Sequence, residues 1–200
     1  MPRKPDPELE HRILNAAHTL WKRGGEKALT LRAVARVAGT NTPAVYRRFK
    51  DRKDLLLALL RHYQNELGDQ FRNTHSIEDT AEVYIDYLVQ HPHAYELLLT
   101  HGNELRSPKR NSRRPQPIRE SRPSFALVEQ RLAERLGGAP KDHTKTALAL
   151  WAMSQGAAGI LLSKTIPDGH EAELRAACRS AVKTLLDGAG CATVKTTVKM

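Results

Sequence analysis

Hydrophobic residues recur three and four positions apart along most of the 200-residue chain. This spacing places them on one face of an α-helix, so the pattern predicts helices. Glycine, proline and capping residues divide the pattern into about nine segments and mark the approximate ends of the helices. The predicted helices cover residues 8–22, 31–38, 43–49, 51–73, 76–90, 93–100, 124–136, 142–166 and 170–186. We therefore predict an all-α fold.

Two of the predicted helices are short and lie within residues 29–56. Thr30 is placed to cap the first helix, and Gly39 is placed to end it with a left-handed backbone conformation. Thr42 is placed to cap the second helix, with Pro43 at its first helical position. A short helix, a turn containing glycine and a second short helix form the helix-turn-helix arrangement, whose second helix reads the major groove of DNA.

The faces of the second short helix predict which residues contact bases. Val45 and Phe49 are expected on its inner side, whereas Ala44 and the neighbouring polar residues are expected to point outward. Arg47 or Arg48 is suited to pair with guanine through two hydrogen bonds, because the guanidinium group matches the two acceptors of that base.

Other polar residues of this region are suited to bind the DNA backbone. Tyr46 and Lys50 are expected to bind phosphate, and Arg52 or Lys53 is expected to do so at the start of the next helix. Thr30 and Arg32 are expected to reach the other strand. The full set of predicted DNA contacts is Thr30, Arg32, Thr40, Asn41, Thr42, Pro43, Ala44, Tyr46, Arg47, Arg48, Lys50 and Arg52.

Residues 42–56, TPAVYRRFKDRKDLL, resemble the recognition helix and following helix start of the tetracycline-repressor (TetR) family of bacterial regulators. The resemblance extends over 12–60, about a quarter of the chain. Arg48 stands where the family usually has His, and Asp51 where it more often has Asn. The resemblance implies a DNA-binding transcriptional regulator that works as a homodimer on a double-stranded operator.

The net charge of +10 is unevenly distributed along the chain. Residues 1–72 contain 15 Lys or Arg against 8 Asp or Glu, whereas residues 73–101 contain five acids and no Lys or Arg. A basic N-terminal part that coincides with a predicted helix-turn-helix indicates a DNA-facing module. A second basic stretch, residues 102–123, contains four prolines and is predicted to be a flexible loop.

These observations divide the chain into two predicted domains. A three-helix DNA-binding domain covers 8–53, and a helical bundle for ligand binding and dimerisation covers 54–188. Residues 189–200 are predicted to be a loose tail.

The last two predicted helices are hydrophobic on more faces than one core can use, and their small residues favour close helix packing. The resemblance implies that this helix pair forms a four-helix bundle with a second copy. The residues predicted for that interface are Gly156, Gly159, Ile160, Leu174, Val182 and Leu185.

The resemblance also implies a cavity for a small-molecule effector within the second domain. Trp151, Gln155 and Gly156 are similar to the Trp and His-Gly pattern of one TetR C-terminal subclass, with Gln155 in place of the His. No charged residue is predicted on the inner faces of these helices, so the effector is expected to be apolar or aromatic; ordinary core packing is the alternative. The predicted effector contacts are Tyr84, Tyr87, Tyr95, Leu98, Phe125, Trp151 and Gln155.

The sequence gives no support for a catalytic or metal site. The histidines at positions 91, 93 and 101 lack a metal-ligand spacing, and two cysteines make neither a disulfide framework nor a metal motif. No nucleophile elbow, Walker loop or paired-carboxylate site is present. We therefore predict no cofactor, no metal and no enzyme activity.

The N-terminus lacks the apolar core of a signal peptide, and the apolar run 147–162 is shorter than the roughly 20 residues that cross a bilayer. We therefore predict a cytoplasmic protein without a membrane partner. Repression is favoured over activation, because blocking a promoter requires only tight operator binding. Two other hypotheses remain open: a basic protein that organises DNA without sequence preference, and a His-dependent metal enzyme with a vestigial helix-turn-helix.

Overall fold

The computed structural model describes residues 8–102 and 117–197. Every regular element in these ranges is a helix, which confirms the predicted all-α class. The α-helices are α1 (Leu9–Ala28), α2 (Leu31–Val37), α3 (Thr42–Arg48), α4 (Arg52–Arg72), α5 (Ile77–Gln90), α6 (Pro92–His101), α7 (Ile118–Ser121), α8 (Pro123–Leu136), α9 (Thr144–Ser163) and α10 (Glu171–Thr197), and a 3-10 turn (Pro140–His143) precedes α9.

The chain forms two compact units. The described part of the N-terminal unit comprises residues 8–63 and 93–102, which hold α1, α2, α3, the first half of α4 and most of α6. Within this unit, the indole Nε1 of Trp21 on α1 donates to the carbonyl of His93 on α6 at 2.6 Å. The largest fully buried side chains of this unit are Ile13, Trp21, Leu29, Leu55, Leu59, Leu60, Tyr63 and Leu97.

The division between the units differs from the predicted boundary after residue 53. It falls within α4, between Tyr63 and Gln64, and α6 groups with the N-terminal helices. The hydrophobic stripe of α4 continues without interruption through this point, so periodicity contains no signal for a boundary there. The contact between α6 and α1 includes the hydrogen bond between Trp21 and His93, which are 72 positions apart and therefore share no local sequence pattern.

The second unit comprises Gln64–Pro92 and the described residues from 117 onward. Its core cluster contains Ile77, Phe125, Leu132, Ala147, Leu150, Val182 and Leu186. Helices α5, α8, α9 and α10 therefore share one hydrophobic core. A smaller cluster joins Ile85, Ala157 and Cys178, and burial raises the pKa of the Cys178 thiol.

Two predicted irregular segments are partly helical. Helix α10 continues to Thr197, so the predicted loose tail over 189–200 is wrong for residues 189–197, and residues 198–200 lie outside the described residues. This stretch contains no proline, so its backbone is able to continue the helix. The predicted loop 102–123 contains α7 and the first residue of α8, where Pro123 occupies a position that tolerates its missing N–H. Residues 103–116 of that loop lie outside the described residues.

The segment Pro140–Ser163 forms 24 residues of helix, longer than the apolar run visible in the sequence. In the described part of the chain it is the one helix whose length and apolar composition match a membrane span, and 28% of its apolar window is buried. The core helix of a soluble protein meets the same criterion, so this observation alone is weak support for a membrane span.

Candidate functional site

Helices α2 and α3 and the turn between them form a helix-turn-helix in the N-terminal unit. The Thr30 hydroxyl accepts from the Ala33 amide at 3.1 Å, as predicted for the α2 N-cap. Gly39 has φ +64°, the left-handed conformation predicted for the end of that helix. The Asp51 carboxylate accepts from the Asp54 amide at 2.8 Å and so caps α4.

The predicted cap of α3 is wrong by one residue. Asn41 is the N-cap, because its Oδ1 accepts from the Ala44 amide at 2.9 Å, and Thr42 is the first helical residue. Asn41 has the extended backbone of an N-cap, and asparagine is at least as favourable there as threonine. Asn41 therefore fixes the residue at which α3 begins.

The exposed side of α3 contains most of the predicted base-facing residues. Tyr46 is 54% exposed, and Pro43 and Arg47 are exposed as well. The expected outward orientation of Ala44 is wrong, since Ala44 is only 3% exposed and lies on the inner side with Val45. A helix of seven residues that packs against α2 needs small inner side chains for close approach, and alanine meets this need.

The remaining predicted DNA contacts of this unit differ in exposure. Thr30, Arg32, Asn41 and Lys50 are exposed, whereas Thr40, Thr42, Arg48 and Arg52 are half-buried. Arg48 lies 3.8 Å from the carboxylate of Glu10, a long and partly exposed ion pair that contributes little to stability. A surface groove of about 980 Å³ is bordered by several of these residues, among them Thr30, Arg32, Thr42, Tyr46 and Arg52.

In the second unit, three of the predicted effector contacts form a chain of hydrogen bonds. Trp151 Nε1 donates to the Tyr84 hydroxyl at 2.9 Å, and that hydroxyl donates to Gln155 Oε1. Trp151 and Gln155 are one turn apart on α9, and Tyr84 reaches them from α5. All three side chains are half-buried.

Aromatic rings and one cation surround this polar chain. The Phe125 ring stands edge-on to Trp151 with centroids 6.4 Å apart, and the Phe71 ring lies 6.2 Å from Tyr84. The guanidinium carbon of Arg122 lies 4.8 Å from the Trp151 ring centroid, within the range of a cation–π interaction. Phe71 and Arg122 were not among the predicted contacts. Arg122 lies in the stretch that the sequence predicts to be a loop, so the helical spacing of hydrophobic residues gave no reason to select it.

Two family models match the chain and cover both units. Residues 13–59 match the model described as bacterial regulatory proteins, tetR family, and residues 77–186 match the tetracyclin repressor-like C-terminal domain. The chain belongs to the TetR family. It is therefore a TetR-family transcriptional regulator with a DNA-binding helix-turn-helix and a ligand-binding C-terminal domain, and members of this family are generally not enzymes.

Individual proteins and solved structures that are similar to this chain agree with this identification. The chain is 30% identical over 92 residues to the HTH-type transcriptional regulator SAB2452 of Staphylococcus aureus, a match that spans 44% of this chain and 50% of that relative. The crystal structure of the multidrug binding protein EbrR complexed with imidazole is 26% identical, with a TM-score of 0.63 over 92% of this chain and 93% of that one. The TetR regulator SCO7222 of Streptomyces coelicolor, at 19% identity and a TM-score of 0.63 over 94% and 98% of the two chains, shares the fold.

The other predicted effector contacts of this TetR-family chain lie elsewhere. Tyr87 is fully buried and donates to the Glu66 carboxylate at 2.8 Å instead of joining the Trp151 chain. Tyr95 and Leu98 are on α6 and belong to the N-terminal unit. The structure therefore brings together four of the seven predicted residues, namely Tyr84, Phe125, Trp151 and Gln155.

A buried carboxylate contradicts the prediction that the inner helix faces of this TetR-family chain have no charge. Glu129 is 1% exposed and lies one turn after Phe125 on α8. Thr144 Oγ1 donates to its Oε1 at 2.5 Å, and Arg119 lies 3.1 Å from its Oε2. The charge is compensated by the Arg119 ion pair from α7 and by the Thr144 hydrogen bond from α9, although Oε2 itself accepts no hydrogen bond among the described residues.

The predicted dimer residues fall into three groups by exposure. Gly156 is exposed, and a Cβ at this position would meet nothing within 4 Å. Gly159, Ile160, Leu174 and Leu185 are half-buried. Val182 is 1% exposed and belongs to the core cluster, so its predicted exposure to a partner is wrong. The pattern of α10 alone did not separate its core face from its outer face.

Proposed function

We propose that this protein is a repressor that binds a palindromic operator as a homodimer and is released by a small-molecule effector. The observation that carries the proposal is the exposed side of α3, with Tyr46 and Arg47 pointing away from the core of a capped helix-turn-helix. A short helix with exposed polar residues is suited to enter a major groove.

The roles of the DNA contacts follow from their chemistry. Arg47 is suited to read guanine, because its exposed guanidinium group offers two parallel donors. Tyr46 and Lys50 are suited to bind phosphate on the same strand, and Thr30 and Arg32, at the start of α2, are suited to bind the other strand. Thr40, Asn41, Thr42, Pro43 and Arg48 complete the proposed surface.

The exposed face of α9 supports the proposed homodimer. Ala152 and Gly156 are exposed one turn apart, with the half-buried Ile160 one turn further along. Small side chains in such a row let a second helix approach closely, and an apolar face that remains open to water is stabilised by a partner. Two copies are also what a palindromic operator requires, because its half-sites mirror the two-fold axis of a dimer.

The hydrogen-bonded chain of Trp151, Tyr84 and Gln155 supports a site for a small aromatic effector. An aromatic ligand is suited to pack against Trp151 and Phe125, and its polar groups are suited to compete for the Tyr84 hydroxyl. The related EbrR is a multidrug binding protein that was crystallised with imidazole, which also supports a small-molecule effector. Effector binding would change the separation of the two DNA-reading helices in the dimer.

Repression is the simpler mode, because occupancy of the operator blocks a promoter without any contact with polymerase. We place this activity in the cytoplasm, where the DNA is. A protein that organises DNA without sequence preference remains the alternative, since the N-terminal third is strongly basic and basic surfaces bind phosphate regardless of sequence.

The deciding experiment is selection of bound fragments from random double-stranded DNA, followed by affinity measurements at one fixed salt concentration. We expect an enriched palindrome that binds two protomers at least 1,000-fold more tightly than random DNA, in the range of specific regulators. Equal affinity for selected and random fragments would favour the DNA-organising alternative. A protein that stays monomeric on and off DNA would exclude the proposed dimer.

A further inference from the structure

Arg52, the first residue of α4, makes three hydrogen bonds to the end of α1 and the linker that follows it. Its Nε donates to the carbonyl of Leu29 at 3.0 Å, and one terminal nitrogen donates to the carbonyl of Glu26 at 2.8 Å. The other terminal nitrogen donates to the Glu26 carboxylate at 3.0 Å. All three nitrogens of the guanidinium group thus have acceptors within the N-terminal unit.

These acceptors explain why an arginine is needed. The Glu26 carbonyl also accepts from the Leu29 amide at 3.3 Å, so Arg52 is its second donor, and a cation at the C-terminal end of a helix is favourable. Helix α1 ends irregularly, because Gly24 and Gly25 have non-helical backbone angles shortly before Glu26. The planar fork of arginine reaches two carbonyls and one carboxylate at once, whereas the ammonium group of lysine is a single point.

The linker to which Arg52 donates hydrogen bonds leads directly into the helix-turn-helix. Leu29 is fully buried and precedes Thr30, the N-cap of α2. Helix α2 packs against α3, which contains the proposed base-reading residues. A change in the position of Leu29 would therefore shift the whole helix-turn-helix relative to α4.

We propose that Arg52 is a positioning residue that sets the orientation of the helix-turn-helix, rather than a phosphate contact as the sequence suggests. The inference rests on the proposed DNA reading by α3. The Glu26 carboxylate balances the charge of Arg52 at 3.0 Å, so this pair adds little positive charge for a phosphate to neutralise. DNA binding depends on Arg52 because α2 and α3 must begin at the correct place.

Three variants separate the two roles. Arg52→Lys keeps the positive charge but loses the planar fork of the guanidinium group. If Arg52 is a positioning residue, affinity for the selected operator should fall at least tenfold. If Arg52 is a phosphate contact, affinity should stay close to wild type. Arg52→Ala at several salt concentrations should leave the slope of log affinity against log salt unchanged, whereas a phosphate contact predicts a slope smaller by about one. Affinity for random DNA should change less than affinity for the operator.

Glu26→Gln distinguishes the roles by the sign of its effect. The substitution removes a negative charge near DNA. If Arg52 binds phosphate, the variant protein should therefore bind the operator more tightly than wild type. Glutamine keeps an acceptor for Arg52 but removes the charge that strengthens this hydrogen bond, so weakening of one anchor of a positioning Arg52 predicts a loss of about two- to fivefold in operator affinity. Lys50→Ala is the matched control with an expected change of about one in salt slope, and thermal unfolding of each DNA-free variant monitors the fold.

The inference is overturned by wild-type affinity in Arg52→Lys, by a reduced salt slope in Arg52→Ala, or by tighter operator binding in Glu26→Gln. If Arg52→Lys does not fold, Glu26→Gln alone still separates the two roles. Wild-type protein without any preference for selected DNA would instead contradict the proposed function itself, so the two failures are distinguishable.

Discussion

The indole Nε1 of Trp151 donates to the hydroxyl of Tyr84 at 2.9 Å, across 67 positions of sequence. The same hydroxyl donates to Gln155, so one oxygen joins α5 to two successive turns of α9. Gln155 stands where the resembling subclass has His, and its side-chain oxygen accepts the hydrogen bond that an imidazole nitrogen would also accept. The substitution therefore preserves the acceptor while removing a titratable group.

Tyr84→Phe should lower the free energy of unfolding by about 1–2 kcal/mol, because the indole N–H and the Gln155 amide lose their shared partner. Urea denaturation measures this change. Tyr95→Phe is the matched control, since it removes the same atom at a hydroxyl outside this chain of hydrogen bonds, and it should change stability by less than about 0.5 kcal/mol. Equal effects of the two substitutions would contradict a structural role for the Tyr84 hydroxyl.

Arg47→Ala and Lys50→Ala should weaken DNA binding in different ways. Loss of the proposed guanine contact should lower operator affinity by about 1–3 kcal/mol and relax the sequence preference at one position of each half-site. Loss of Lys50 should weaken binding to all sequences alike, with a smaller salt slope. Footprinting and binding at several salt concentrations measure both effects. If neither variant differs from wild type, α3 is not the recognition helix.

Gly156→Arg should convert the proposed dimer into a monomer. The position is exposed and a Cβ there meets nothing within 4 Å, so the substitution leaves the packing within one chain intact. Replacing a helical glycine also raises intrinsic helix propensity by up to about 1 kcal/mol, so loss of the dimer cannot be ascribed to loss of α9. Light scattering coupled to size exclusion measures the mass. A variant that remains dimeric would exclude this face of α9 as the interface.

Glu129→Gln should lower the free energy of unfolding by about 2 kcal/mol, the scale of hydrogen bonds to a charged group. The substitution leaves Arg119 without its carboxylate and changes the acceptor of the Thr144 hydroxyl. Glu134→Gln is the matched control on α8, because Glu134 is exposed, and its effect should stay within about 0.5 kcal/mol. An equal decrease in the free energy of unfolding for both variants would show that the buried pair of Glu129 and Arg119 stabilises the fold no more than an exposed carboxylate does.

Local chemistry made part of this structure predictable. Thr30 and Gly39 mark the two ends of α2, Ser76 caps α5 and Asp51 caps α4. These features were predictable because each depends on residues within about one helical turn. The same locality explains the error at α3, where Asn41 and Thr42 are adjacent caps of similar quality and the sequence does not separate them.

The sequence by itself determined most of the helices, the helix-turn-helix and the family of this protein, because periodicity, caps and turn residues act over a few positions. Tertiary structure alone decided that Ala44 and Val182 face inward, that Glu129 is buried with Arg119 and Thr144, and that Arg52 holds the end of α1. These outcomes depend on which helix faces meet. Partners 10 to 26 positions apart are brought together by packing of the whole unit, and no local pattern encodes that packing.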